Sequence, residues 1–420
     1  MRKIYLTALI LFAGAFLEAY ACTTAVISGK ATPDGRPLLW KHRDTWSVNN
    51  KIVQFFDGKY ACAGLVNSID TANQSIWIGY NSEGFAIMNS ASYNLNYDTI
   101  ELNGLEGRLM KIALQACATI DDFEQMIIDM EKPTRLEGNF GVIDANGGAA
   151  YFELGNFEYV KYDATDAEDA PNGYIIRTNF SASGEYGDGG GYIRFETISD
   201  VFEEALANNT LDYCTILQKG SRNLKHSLLN IDLNSYGNLP ENTPTTVFFK
   251  DFIPRSGTSS SCVVQGVKPG ENPALAAMWS VVGFPLTSVV VPVWLNKKVG
   301  LPAVVQFNDD IDDSPLSNYS LILKDNIYAY KLGSHSEYYI DINQVVNADN
   351  SGFLQKIIPL ENQIISNSEK YFAEWREDDK INIKQMRELY DWIDDTIKNF
   401  YQTSFNLSPK EKLHDENTGN

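Results

Sequence analysis

Histidine is scarce in this chain, with four in 420 residues, and none stands in a recognised Cys/His motif, so a nucleophile here must find its base elsewhere. The five cysteines, Cys22, Cys62, Cys117, Cys214 and Cys262, are widely and irregularly spaced. That spacing excludes a zinc pattern and a dense disulfide scaffold. Because their number is odd, at least one thiol stays free or pairs outside the chain. Basic residues are outnumbered, 34 Lys and Arg against 54 Asp and Glu, for a formal charge of -20. An acidic surface repels phosphates, which argues against a nucleic-acid partner. No apolar run reaches the roughly 20 residues that a membrane span requires, and no internal repeat is visible.

What is present begins at the N-terminus. Arg2 and Lys3 precede an apolar run from Ile4 to Leu17, followed by Ala19, Tyr20 and Ala21. This is the layout of a signal peptide with an A-x-A cleavage site. It predicts an exported protein, periplasmic or extracellular, whose mature chain starts at Cys22. The expected organisation is a signal peptide over 1–21, a folded domain over 22–350, a helical extension over 351–408 and a disordered tail over 409–420.

Strand signals fill the first part of the domain: Thr23 to Ser28, Pro37 to His42 after an Asp34-Gly35 turn, Gln74 to Tyr80 and Gly84 to Asn89. Helical spacing of Leu109, Ile112, Ala113 and Ala116 follows, then a second helix from Asp121 to Met130 capped by Thr119. Strands return at Asn139 to Ile143 and Ala149 to Leu154. Beyond a Gly-rich loop from Ser183 to Gly191, helices are expected over Tyr192 to Ala207 and Leu211 to Gln218. Thr245 to Phe249, Ser259 to Gln265, Ala276 to Val282 and Val289 to Trp294 again read as strands, and two long amphipathic helices close the chain between Gly352 and Phe405. Strand groups alternating with helix groups indicate an α+β or layered α/β architecture. The acidic run Asp309 to Asp313 lacks the Gly and distal Glu of a calcium loop and reads as a solvated loop.

Cleavage after Ala21 gives Cys22 both a thiol and a free α-amine. An amine with a pKa of roughly 7.7 to 8 is partly neutral near pH 7 and takes the thiol proton itself, so no histidine is needed. A different reading makes Cys22 the lipid-bearing residue of an anchored binding protein without catalysis. Such sites carry Leu at the third position before Cys and small residues between, whereas Ala19 and bulky Tyr20 stand here.

The run from Cys22-Thr-Thr through Asp34-Gly35 to Lys41-His-Arg-Asp44 resembles the opening of the choloylglycine hydrolase and acyl-coenzyme A:6-aminopenicillanic acid acyltransferase superfamily, which includes bile salt hydrolases and penicillin V acylases. Later stretches resemble that family in order: Tyr80 to Phe85, Asn139 to Gly147, Arg177-Thr-Asn-Phe180, Ile193-Arg-Phe195, Thr258 to Ser261 and Trp279 to Trp294. The resemblance implies a four-layer αββα sandwich of the N-terminal nucleophile (Ntn) hydrolases, with two antiparallel sheets and the C-terminal helices outside. It implies a hydrolase of linear amide bonds, without metal or organic cofactor, acting on a small N-acyl amide through a thioester. Acyltransfer or dipeptidase activity belongs to the same superfamily.

Residue by residue, the resemblance implies that Cys22 is the nucleophile, that Asp44 holds the α-amine and that Asn179 donates its side-chain amide to the oxyanion. Arg194 supports the site electrostatically. Lys41 stands where bile salt hydrolases carry Arg, and either Lys41 or Arg43 fills that basic role. A second, backbone oxyanion donor is expected near the substrate at Asn89 to Ala91.

Overall fold

The structure, a computed structural model, describes residues 21–328 and 330–408. The first 20 residues of the expected signal peptide and the expected tail lie outside the described residues.

Thirteen strands form the two large sheets among the described residues. In chain order they begin with β1 (Cys22–Ile27), β2 (Leu38–Asp44), β3 (Asn50–Phe55), β4 (Cys62–Asn67), β5 (Ile78–Asn81) and β6 (Ala86–Ala91). They continue with β7 (Gly138–Ile143), β8 (Ala149–Leu154), β9 (Tyr159–Asp163), β10 (Tyr174–Arg177), β11 (Thr258–Gln265), β12 (Ala277–Val282) and β13 (Val290–Val293). One sheet has the order β10-β1-β2-β11-β12-β13 and the other runs β3 to β9 in sequence. All the pairings are antiparallel.

The sheets face each other. Val26, Leu39, Met88 and Tyr151 share one buried core, and a side chain on Gly141 would collide with Met88 and Val26, so the glycine lets the two layers close. Helices cover the outer faces. Helices α1 (Glu106–Ala116) and α2 (Ile120–Asp129) lie on the second sheet, where Met110, Leu114, Phe123 and Ile127 pack with Phe140 and Phe152. Thr119 caps α2 in a capping box with Asp122. On the first sheet lie α3 (Tyr192–Ala207), α4 (Pro315–Ile327), α5 (Phe353–Glu377) and α6 (Ile383–Phe405). The molecule is therefore an α+β sandwich with the layers αββα.

Strands β1 and β2 are buried at every position, because one face meets the second sheet and the other meets helices. Helices α5 and α6 join the same core through Ile364, Phe372, Trp375, Ile393 and Tyr401. Near them the chain from Leu211 to Gln218 winds one turn of α-helix and then a π-helix over Ile216–Gly220. One expectation is corrected: Asp313 is fully buried, accepting from Asn49 and Ser68, and so is not part of a solvated loop.

Candidate active site

Antiparallel pairing brings the start of β1 beside the end of β2, with Cys22 opposite Arg43, Thr23 opposite His42 and Thr24 opposite Lys41. Side chains alternate between faces along a strand. Lys41 therefore reaches Asn89 on the second sheet, Thr24 meets Tyr151 there, and Arg43 lies over the Trp77 ring at 4.5 Å. His42 and Asp44 project to the opposite, helix-covered face, toward Thr258 and Arg255. Polar side chains at one end of buried strands need partners, and here they supply them to one another.

Cys22 is 5% exposed. Its backbone nitrogen donates to Asn179 Oδ1 at 3.1 Å. The same oxygen accepts from Arg194 Nη2 at 2.8 Å, while Arg194 Nη1 donates to the Cys22 carbonyl and to Thr23 Oγ1, both at 2.7 Å. Asn179 Nδ2 donates to the Ala91 carbonyl at 3.0 Å. Two donors on Oδ1 and an acceptor at Nδ2 fix which way the amide points. On the thiol side, Lys41 lies within electrostatic range of Cys22, and its ammonium donates to the Asn89 carbonyl and, at 2.7 Å, to Asn89 Oδ1. Burial lowers the Lys41 pKa to about 8 against the pull of Cys22.

On the other face, Asp44 Oδ2 accepts from Arg255 Nε at 2.8 Å and Oδ1 accepts from the Thr258 hydroxyl at 2.5 Å. Burial works to raise the carboxyl pKa. The charges of Arg255, His42 and Arg194 outweigh it and hold the group below its ordinary value. Burial pushes His42 down to about 4, against Asp44, so it is neutral at pH 7.

The structure thus gathers Cys22, Lys41, Asn89, Ala91, Asn179 and Arg194 around the first residue of β1. Of the two basic candidates, Lys41 lies within electrostatic range of Cys22 and donates to Asn89, while Arg43 donates to Asn50 Oδ1 at 2.9 Å. Asp44 stands one residue further along β2, where it engages Arg255 and Thr258, and Asn179 accepts from the Cys22 nitrogen. All five cysteines are thiols.

Three further residues shape the site. Arg255 pairs with Asp44, and Tyr93 lies within electrostatic range of Cys22 and Arg194. Glu153 on β8 takes Arg177 Nε at 2.6 Å and the Ala182 and Ser183 N–H groups at 2.8 Å, fixing the segment that carries Asn179. Only Glu153 carried a sequence signal, as a lone carboxylate in an otherwise apolar buried strand. A groove of about 590 Å³ at the far end of the strands, among Gly29, Asp144, Lys161 and Pro269, contributes none of these residues.

Neither a family model nor a curated protein matches the sequence. Solved structures do resemble it. A point mutant of conjugated bile acid hydrolase from Clostridium perfringens is 12% identical at a TM-score of 0.41, over 66% of this chain and 93% of that one. Penicillin V acylase from Agrobacterium tumefaciens is 12% identical at 0.34, over 67% and 89%. A Caenorhabditis elegans ortholog of N-acylethanolamine-hydrolyzing acid amidase is 15% identical at 0.32, over 46% and 86%.

The buried groups set a pH dependence of stability. The His42 pKa is lower in the folded chain, about 4, than the ordinary 6.5. The unfolded chain therefore binds a proton first as pH falls, and the stability linked to this group is lost between about 6.5 and 4. Asp313 has the opposite sign, since burial raises it to about 6. Its contribution is full below the ordinary carboxylate pKa and is lost as pH rises through about 6. Urea midpoints measured from pH 4 to 7 are expected to rise less with pH in His42→Gln than in wild type, and more in Asp313→Asn. Unchanged slopes in both variants would refute the assignment.

Proposed function

We propose that the chain is a cysteine-type Ntn amidohydrolase, exported and cut after Ala21, that cleaves a linear amide bond in a small N-acyl substrate. The observation that carries this reading is the convergence of Asn179, Arg194 and Lys41 on Cys22, the residue that export processing would make the N-terminus.

The free α-amine takes the Cys22 proton as the sulfur attacks the amide carbon. Lys41 stabilises negative charge on sulfur, Asn179 stabilises the tetrahedral oxyanion through an N–H of its amide, and Arg194 keeps the Asn179 carbonyl turned toward the Cys22 nitrogen. Asp44 supplies a fixed negative charge within the cationic cluster, favourable to the ammonium that forms. That ammonium returns its proton to the leaving amine as the C–N bond breaks. Water then adds to the thioester, its proton passing through the amine to the departing thiolate, and the carboxylic acid leaves.

Two measurements in sequence test this reading. Intact mass and N-terminal sequencing of the exported protein are expected to show an unmodified Cys22 at the N-terminus. That material is then expected to hydrolyse at least one member of a panel of N-acyl amides, N-acyl amino acids and dipeptides. A lipidated Cys22, or a start elsewhere, overturns the mechanism and favours the anchored binding protein.

Gly191 offers a second probe. It precedes α3 at φ +82°, and a Cβ there would strike Arg194 Nη2 and the Thr178 side chain. Gly191→Ala is expected to push Arg194 off Asn179 and Cys22 and to lower kcat by about tenfold or more, since losing one oxyanion donor costs about 100-fold. Full activity in a folded Gly191→Ala enzyme would remove Arg194 from the scheme.

A further inference from the structure

The segment from Arg255 to Thr258 closes over Asp44 and is tied to itself. The Arg255 N–H donates to Thr258 Oγ1 and the Thr258 N–H to the Arg255 carbonyl, both at 2.9 Å. The same Thr258 hydroxyl donates to Asp44 Oδ1, and Arg255 Nε and Nη2 both stand 2.8 Å from Asp44 Oδ2. Each carboxylate oxygen therefore has its own donor, and the two donors fix each other. The segment is anchored on both sides. Thr45 N–H donates to the Gly257 carbonyl at 2.7 Å, and the buried Lys324 of α4 donates to the carbonyls of Ser256 and Thr258. A register shift between Thr258 and Ser260 bends β11 at this point and lets Thr258 stand opposite Asp44.

We propose that Arg255 is a positioning residue: with Thr258 it clamps the Asp44 carboxylate at the edge of the cluster around Cys22. This rests on the amide-hydrolase reading for its catalytic consequence, but not for the clamp itself. Asp44 is faced by Arg255 from the loop, Thr258 on β11, His42 on its own strand, Arg194 from α3 and Lys324 from α4. Tyr328, after α4, is also within electrostatic range of Asp44, and Asp251 of Arg194 and Arg255. Arg255 is the largest of the influences that keep the carboxyl ionised against burial. Without it, burial meets less opposition and the carboxyl takes up a proton at higher pH. A scaffold residue that merely filled space would lower activity equally at every pH.

The test uses the processed enzyme and its Arg255→Met, Arg255→Lys and Thr258→Val variants, with kcat and KM measured from pH 4 to 9. In Arg255→Met the acid limb of kcat is expected to move up by about one pH unit or more. Activity near pH 4 should fall severalfold while KM stays within about twofold, and most of the loss should be recovered by about pH 6 to 7. Arg255→Lys, which keeps the charge without the fork, should return part of the shift, and Thr258→Val should show a smaller one. A loss that is the same at every pH, or one that lysine does not relieve, overturns the proposal. A second measurement does not need substrate: a double-mutant cycle of Arg255→Met with Asp44→Asn, read from urea midpoints. Coupling at pH 7 that fades toward pH 3 supports the clamp even if no amide turns over, in which case the reaction assignment fails alone. No coupling at pH 7 overturns the clamp whatever the enzyme does.

Discussion

Replacing Cys22 by alanine is expected to abolish amide turnover, a loss on the order of 10⁵-fold or more, the scale seen when a covalent nucleophile is removed. The fold should survive. Cys22 is small and sits at the first position of β1, whose register with β2 is a backbone matter, and the Asn179 bond goes to its main-chain nitrogen. A urea midpoint close to wild type would show that the loss is chemical. The companion experiment leaves the thiol in place and blocks the amine, by acetylation or by one residue retained ahead of Cys22. An amide nitrogen cannot accept the thiol proton, so this protein should be nearly as inactive as Cys22→Ala. His42 offers no substitute base: it projects to the other face of the sheet and burial holds it near a pKa of about 4. Turnover that persists in Cys22→Ala sinks the nucleophile. Turnover that persists with a blocked amine keeps the nucleophile and removes its base.

The division between what the sequence disclosed and what it hid follows the range of the interactions. Local signals held: Thr119 caps α2, Tyr192–Ala207 is a helix as expected, and the four strands expected between Thr245 and Trp294 form. Strands β3 and β4 went unread. In β4, Gly64 packs without room for a side chain against Ile76 and Gly79, so a residue that reads as a loop signal serves a close approach of strands. Ile112 falls at helical spacing with Leu109, Ala113 and Ala116, yet it is 47% exposed, and Met110 and Leu114 are buried with Leu109 and Ala113 instead. The residues of the site nearest Cys22 were legible through motifs that keep their order along the chain. Arg255 was not, because its partner Asp44 is 211 positions away and an isolated arginine in a loop carries no periodicity. The π-helix was hidden for the same reason: its i→i+5 bonding gives no pattern distinct from the α-helix over a single turn.

That π-helix leads to the second large effect, in the ion pair between Arg222 and Glu361. Gly220 ends the π-helix and Arg222 follows, so the extra residue per turn delivers a guanidinium beneath α5. Both side chains are wholly buried. Arg222 Nη1 donates to Glu361 Oε1 at 2.8 Å and Nη2 to Oε2, while the remaining protons go to the carbonyls of Leu217, Pro285 and Ser288. Glu361 also accepts from the Val290 N–H at 2.9 Å, so one carboxylate ties α5 to the edge strand β13 and to the π-helix. Breaking such a pair by removing one partner leaves a charge in the core without its counter-ion, which costs about 3–5 kcal/mol. Glu361→Ala is therefore expected to lower the urea midpoint sharply, and Arg222→Ala should do the same. The double replacement Arg222→Met with Glu361→Leu strands no charge, and it should be less destabilised than either single change, because desolvating two charges offsets much of their attraction. The ordering decides the matter. If the double variant loses as much as the two single variants added together, the pair does not act as a unit and the sheet is held to α5 by its apolar contacts, with Ile357, Leu360 and Ile364 carrying the joint.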